Sequence, residues 1–346
     1  MILEGFVMKV GVVEKPGTLK LAEREAPAVS LSDDVLIRVK RVGICGSDMH
    51  IFHGKNPFAT YPRVWGHEFV GEVAAAGPEA AVSPGDHVVA EPIAYCGECY
   101  ACRQGRGNVC QNLKVSGVHV DGGCQEYIVL PAKQVHKVPS DIPWDSAVLI
   151  EPFTIGAQAS LRGRVQRGDI VLVYGAGTIG LTVMQFAKFN GGTVIITDIV
   201  DDKLAFAAAT GADYIINAAQ ENVFDRVMQI TGGMGANVTI DAVCSKQSFE
   251  DALLVTSAAG RVVEMSFNET ASEIAPLHIT KKELDVCGSR LQTARFPVVI
   301  DALKRGALKL DGFITATYPL SRMEEAFAYV DANGPRVRKV LIDMEQ

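Results

Sequence analysis

Four closely spaced cysteines are the strongest chemical signal in the chain. Cys96-x-x-Cys99-x-x-Cys102 is followed by Cys110 after seven intervening residues. Four thiolates at such short spacing suit a closed, tetrahedral zinc site. An iron–sulfur cluster takes the same ligand type, but the closing gap and the lack of other electron-transfer signals favour zinc. Four sulfur ligands leave no open position, so this zinc is expected to be structural, pinning a loop that has no sheet of its own. A second group is sparser. Cys45 lies in Gly43-Ile44-Cys45-Gly46-Ser47-Asp48-Met49-His50, His67 and Glu68 follow Gly66, and Glu151 precedes Pro152. A catalytic zinc takes about three protein ligands and keeps one exchangeable position. Cys45 and His67, with Glu68 or Glu151, have the right donor types. Spacing alone supports this set only weakly, because a Cys and a His 22 residues apart are commonly plain core or surface residues.

A third group handles phosphates. Val171-Leu172-Val173-Tyr174 runs into Gly175-Ala176-Gly177-Thr178-Ile179-Gly180, the spacing GxGxxG. The first glycine turns the chain out of a strand, the second lets a pyrophosphate approach the backbone, and the third packs helix on strand. The helix opening at Thr178 and Ile179 would then offer its free N–H groups to the phosphates. Val194-Ile195-Ile196-Thr197 reads as a second strand ending at Asp198, about the distance at which an acid bonds a ribose 2′-OH. Ile199, Val200, Asp201 and Asp202 follow, with no cation for a 2′-phosphate. The expected cofactor is therefore NAD and not NADP. A glycine-rich turn that binds nothing is the bland alternative.

The elements that must hold these groups change character along the chain. Up to about residue 150 the pattern is strand-rich, with strands expected at 35–42, 69–75, 86–90 and 125–130, separated by Gly and Pro. That pattern predicts a barrel-like β domain. Residues 144–161 read as helix. Strands and helices then alternate, with strands at 170–174, 194–197, 214–216, 238–241, 260–265 and 285–288. Helices are expected from 179, and at 202–210, 221–231 and 248–257. This rhythm predicts a doubly wound parallel sheet, hence an α/β fold. Helices at 296–304 and 322–329 and a strand at 337–343 close the chain.

The 346 residues suffice for two domains. A net charge of −7 argues against nucleic acid or an anionic membrane as partner. Lys281-Lys282 and Arg336-Val337-Arg338-Lys339 read as solvated faces. The stretch 1–13 lacks the parts of a secretory signal, and the apolar run 170–189 is better explained by its glycines than as a membrane span. The expectation is a cytoplasmic protein, in which clustered cysteines mean metal.

Together and in this order, Gly43–His50, Gly66-His67-Glu68, the cysteine loop 96–110 and Gly175–Gly180 make the chain similar to the zinc-dependent medium-chain alcohol and polyol dehydrogenases, over nearly its whole length. Asn56-Pro57-Phe58, Tyr61-Pro62-Arg63, Gly117-Val118-His119-x-Asp121-Gly122-Gly123 and Ile150-Glu151-Pro152-Phe153 resemble the sorbitol dehydrogenase-like branch and the bacterial enzymes for L-galactonate or L-gulonate, with threonine dehydrogenase more distant. The resemblance implies a GroES-like β-barrel catalytic domain over 1–152 and a Rossmann domain over 153–290. It further implies that 291–346 returns to the catalytic domain, and that the enzyme is a homodimer or homotetramer.

It also implies site roles. Cys45, His67 and Glu68 would surround the catalytic zinc, with Glu151 as a nearby fourth ligand where classical alcohol dehydrogenases use sulfur. Asp48 would orient His67. The zinc would lower the pKa of a substrate hydroxyl, whose proton would leave through Ser47, the nicotinamide ribose and His50. Hydride would pass to NAD held by Gly175, Gly177, Thr178, Ile179, Gly180 and Asp198 in a cleft between the two domains. Arg290 is a further cofactor candidate. Phe58, Arg63, His119 and Arg290 are candidates to face the substrate, a small polyhydroxy molecule. Threonine dehydrogenase is the alternative enzyme, and a non-catalytic nucleotide-binding sensor the alternative of another class.

Overall fold

The computed structural model describes residues 5–267 and 269–346, so the first four residues of the stretch 1–13 lie outside it. The chain forms two compact units, one built from residues up to Glu151 together with 310–346, the other from 152–309. Residues 291–309 thus pack with the second unit, and the returning tail begins at 310.

In the first unit a seven-stranded sheet runs in the order Val135–Lys137, His87–Ala90, Glu68–Ala76, Asp34–Ile44, Lys339–Asp343, Ile314–Pro319, with Tyr127–Pro131 also pairing with Asp34–Ile44. The long strand Asp34–Ile44 is the hub. Its end is what positions the chemistry. Gly43 stands opposite Glu68 and Ile44 opposite Val340, so Cys45, Glu68 and Lys339 converge where three strands end or begin. Bulges at Leu36/Ile37 and Val39/Arg41 re-aim the hub strand over its length, as an extra residue in one strand does. A smaller sheet pairs the hairpin Val7–Lys15 and Thr18–Glu25 with Arg63–Val64.

The second unit is a six-stranded parallel sheet in the order Tyr214–Asn217, Thr193–Asp198, Ile170–Tyr174, Ala236–Asp241, Thr256–Glu264, Asp285–Gly288. In chain order this is 3-2-1-4-5-6, the doubly wound dinucleotide-binding arrangement, which reverses direction between strands one and four. Buried apolar residues on both faces explain its continuous apolar runs.

Several expected elements shift. The helix expected over 144–161 is two helices, Trp144–Ala147 and Ile150–Arg162. The helix expected over 248–257 ends at Val255, and Thr256 already opens the next strand. Helix Gly46–Phe52 and strand Ile314–Pro319 are not among the expected elements. Among the described residues no helix is long and apolar enough to cross a membrane.

Candidate active site

Cys45 ends the hub strand and begins the helix Gly46–Phe52. Asp48, in the first turn, accepts the Cys45 backbone N–H at 2.8 Å through Oδ2, which fixes the turn that carries the thiol. Its other oxygen, Oδ1, lies 3.4 Å from His67 Nδ1. Both atoms are buried without a hydrogen-bond partner at normal length, so each is left to the other. The Nδ1 side of the imidazole therefore belongs to Asp48, and Nε2 faces Cys45 and Ser47, whose Oγ is 3.4 Å away. One ligand atom each from Cys45, His67 and Glu68 all lie within 4.8 Å of one another. Glu151 is not in that set, but it is buried close by, within reach of the charges of His67 and Glu68. Burial pushes its carboxyl up to about 8, Glu68 and Asp48 add to the effect, and His67 and Lys339 oppose it.

The electrostatics call for a cation. Burial disfavours a charged His67, yet Asp48 and Cys45 outweigh it, so its pKa lies well above the usual value. A metal at Nε2 would take the proton's place and satisfy the same acids. The donor set of one thiolate, one imidazole and carboxylate fits zinc.

Lys339, grouped above with solvated charges, is 3% exposed. Its ammonium donates to both Glu68 oxygens, at 2.7 and 2.6 Å, and to the Ile44 carbonyl at 3.2 Å. Glu68 is thus a candidate ligand already held by a buried cation. The available signal was a lysine opening the apolar run Val340-Leu341-Ile342. Lys282 is likewise no free surface charge, since it donates to the carbonyls of Leu254 and Thr256.

Ser47 and His50 share one face of helix Gly46–Phe52, three residues apart. Ser47 is half-buried and His50 exposed, the order a proton path to water requires. Of the substrate candidates, Arg63 is committed elsewhere: it pairs with Asp121 at 3.0 Å and donates to Thr60. His119 stacks on Phe58 with ring centroids 6.0 Å apart, and its Nδ1 accepts the Val115 N–H. In the second unit Arg290 lies 5.5 Å over the Phe267 ring.

The sulfur atoms of the cysteine loop stand apart by 3.5 Å (Cys99–Cys102), 3.9 Å (Cys99–Cys110), 3.4 Å (Cys110–Cys96) and 4.0 Å (Cys96–Cys102). A regular tetrahedron with Zn–S of about 2.3 Å has edges of about 3.8 Å, so the four thiols already form the cage. The Cys102 and Gln111 backbone N–H groups draw Cys99 down to about 6, the thiolate state that a metal needs. Cys99→Ser is expected to remove one zinc per chain, lower the melting temperature by roughly 5–10 °C, and leave the metal at Cys45 in place. An unchanged melting temperature with both zincs retained would refute a structural role.

The glycine loop explains its own spacing. Gly175 has φ +93, and its N–H donates to the Thr197 carbonyl. A Cβ on Gly180 would collide with the Gly175 carbonyl oxygen. At Gly177 a Cβ would meet nothing within 4 Å: this is open space in front of the first turn of helix Thr178–Phe189, whose N–H groups have no acceptor within the helix. A pyrophosphate fits that cradle. Asp198 Oδ2 accepts the Ala176 N–H at 2.8 Å, tying the strand end to the glycine loop. Lys203, the first cation after Asp198, lies 3.9 Å from the same oxygen. Gly177→Val is expected to keep the melting temperature, since φ −72 and ψ −178 suit any residue. It should nonetheless weaken NADH binding roughly 10- to 100-fold by filling the cradle. Unchanged NADH affinity would refute this placement.

Comparison with known proteins agrees with these features. Residues 32–140 match the "Alcohol dehydrogenase GroES-like domain" and residues 178–305 the "Zinc-binding dehydrogenase" family. Similar relatives include the starvation-sensing protein RspB of Escherichia coli K12, 41% identical over 98% of this chain and 100% of the relative. L-threonine 3-dehydrogenase of Pyrococcus abyssi is 37% identical, covering 86% of this chain and 88% of the relative. L-galactonate-5-dehydrogenase of E. coli K12 is 33% identical, covering 92% and 94%. The solved rspB alcohol dehydrogenase of E. coli CFT073, complexed with NADH, superposes with a TM-score of 0.92 at 40% identity, covering 98% and 100%.

The chain belongs to the zinc-binding alcohol dehydrogenase family: a GroES-like domain joined to a Rossmann sheet, NAD-dependent, with two candidate zinc sites. No single sugar-acid or polyol branch stands out among the relatives. Threonine dehydrogenase has the higher identity and the galactonate enzyme the higher coverage, so neither is set apart from the other.

Proposed function

We propose that the protein oxidises a secondary alcohol of a sugar acid or polyol, of the L-galactonate or L-gulonate kind, to a ketone, with NAD+ as hydride acceptor. The observation that carries this reading is the carboxylate-rich donor set: Cys45 and His67 with Glu68, and buried Glu151 beside them in place of a further sulfur. Zinc held there supplies Lewis-acid chemistry, lowering the pKa of a hydroxyl. Cys45 and His67 hold the ion, and Glu68 or Glu151 completes the set. Asp48 keeps His67 in the tautomer that presents Nε2. Ser47 would relay the hydroxyl proton toward His50, exposed on the same helix face, which would release it to water. Phe58 and His119 wall the substrate, and Arg290 contributes to the cofactor side. Gly175, Gly177, Thr178, Ile179 and Gly180 cradle the pyrophosphate, and Asp198 binds the adenosine ribose.

Oxidation of L-threonine is the second reading, supported by the threonine dehydrogenase relatives. A screen for NADH formation across L-galactonate, L-gulonate, L-idonate, sorbitol, xylitol and L-threonine separates the two. Turnover of threonine alone would sink the sugar-acid reading. A non-catalytic sensor would have lost a ligand or a relay residue, and Cys45, His67, Glu68, Ser47 and His50 are all present.

The assembly we infer is a homodimer or homotetramer formed through the second unit, whose strand Asp285–Gly288 has, among the described residues, a sheet neighbour on one side only. Sedimentation as a monomer at micromolar concentration would remove it.

A further inference from the structure

The carboxyl ends of the parallel strands carry a row of polar side chains. In register, Thr197 stands beside Tyr174, Tyr174 beside Asp241, Asp241 beside Glu264 and Glu264 beside Gly288. Registered neighbours point to the same face of a sheet, so Thr197, Tyr174, Asp241 and Glu264 form one line. Beneath it the same face is apolar through Leu172, Ile195 and Val262, with Thr239 between them bonded to the Thr256 hydroxyl. The line crosses the point between Ile170–Tyr174 and Ala236–Asp241 where the strand order reverses, and dinucleotides bind outside the strand ends at such a point.

Hydrogen bonding in this row is only half complete. Asp241, 0% exposed, accepts three bonds: from the Val243 and Cys244 N–H groups at 2.9 and 3.0 Å on Oδ1, and from the Ser248 hydroxyl at 2.6 Å on Oδ2. Such an acceptor role suits a carboxylate. Glu264 Oε1 accepts the Ser266 N–H at 2.8 Å, but its Oε2 is buried without a partner among the described residues. The hydroxyls of Tyr174 and Thr197, in residues 5% and 2% exposed, are also buried and unpartnered. Adjacent buried carboxyls carry one negative charge more easily than two. Burial, reinforced by Asp241, pushes Glu264 up to about 7 against the Ser266 and Met265 N–H groups.

The neighbours of Glu264 offer no relief. Gly288, on its other side, has no side chain. The Cys244 thiol is pushed up to about 12, first by burial, and stays neutral. Burial likewise raises the Tyr174 hydroxyl, which also feels Asp251 of the helix Lys246–Val255. The side-chain charges felt by Glu264, Cys244 and Tyr174 are all acidic, and burial raises the Asp241 carboxyl too.

We propose that Glu264 is a positioning residue for the dinucleotide. Its Oε1 holds the Ser266 N–H and with it the loop 265–267, one strand from the switch point, and its ionisation beside Asp241 weakens cofactor binding. The pyrophosphate brings negative charge to these strand ends, so an ionised Glu264 opposes it. Binding above the transition therefore takes up one proton, and affinity is full below it and falls as pH rises through about 7.

The inference rests on NAD binding to this unit. The test is the dissociation constant of NADH with the full chain, without substrate, from pH 5.5 to 9. For the wild type it should rise roughly five- to tenfold toward pH 9. Glu264→Gln keeps an acceptor for the Ser266 N–H and should hold the low-pH affinity throughout. Asp241→Asn should move the rise to lower pH. A flat wild-type profile, or a Glu264→Gln profile parallel to the wild type, overturns the proposal. If Glu264→Gln does not fold, an unmoved midpoint in Asp241→Asn overturns it. A wild type that binds no NADH at any pH would instead strike the cofactor reading itself.

Discussion

Cys45→Ala is expected to leave one zinc per chain where the wild type holds two, and to lower kcat by at least about a thousandfold, with NADH affinity unchanged. Each part has its own reason. The three ligand atoms of this site come from two strand ends, Cys45 after Asp34–Ile44 and His67 and Glu68 at the start of Glu68–Ala76, and lie within 4.8 Å of one another. Removing the only sulfur leaves His67 and a Glu68 already bonded through both oxygens to Lys339. Two donors, one of them committed, hold zinc poorly. Without the ion the substrate hydroxyl keeps a pKa far above neutrality. NADH affinity is the internal control, because the glycine cradle is built wholly from the second unit. Metal analysis with activity and NADH titration reads all three. Two zincs with full activity in Cys45→Ala would remove this site from the mechanism, and a parallel loss of NADH binding would mean a general failure to fold.

The legible parts were those where one short segment carries its whole reason. Gly175–Gly180 is local: a turn, an approach and a packing contact lie within six residues, and the same glycines explain them in space. The four cysteines are local too. Cys45, His67 and Glu68 were readable only as residue types, because what unites them is strand register, with Gly43 opposite Glu68 and Ile44 opposite Val340. Register across hundreds of residues leaves no trace in local spacing. Lys339 was misread for the same reason, since charge beside Arg336 and Arg338 looks like surface until the strand is placed between Asp34–Ile44 and Ile314–Pro319. Helix Gly46–Phe52 escaped because its start depends on Asp48 capping Cys45 rather than on apolar periodicity. The hairpin Val7–Lys15 and Thr18–Glu25 did carry a signal in Pro16-Gly17, with Gly17 at φ +75, between two β-like runs.

Lys339→Met should destabilise the first unit by about 3–5 kcal/mol, because breaking a buried ion pair from one side strands the other charge. The pair is deeply enclosed, with side chains 4% and 1% exposed, so solvent screens little of it. Burial disfavours the Lys339 ammonium, but Glu68 and Cys45 outweigh it and raise its pKa above the usual 10.5. The sign follows from that shift. A raised folded-state pKa gives stability fully present below about 10.5 and lost only above it, so the pair contributes at neutral pH. Methionine fills most of the volume, which keeps cavity effects small. Glu68→Gln alone strands the lysine and should also cost several kcal/mol. Adding Glu68→Gln to Lys339→Met should recover much of the loss, since an amide needs no counter-charge. Denaturant unfolding of the four proteins of this cycle gives the coupling directly. A coupling below about 1 kcal/mol would show that the two groups do not depend on each other. The functional consequence is separate from stability: Lys339 holds Glu68 by both oxygens, so releasing it frees that carboxylate for the metal. Lys339→Met should therefore retain two zincs while altering kcat more than the KM for NAD, whereas simple unfolding would lower active enzyme and leave both constants of the surviving fraction intact.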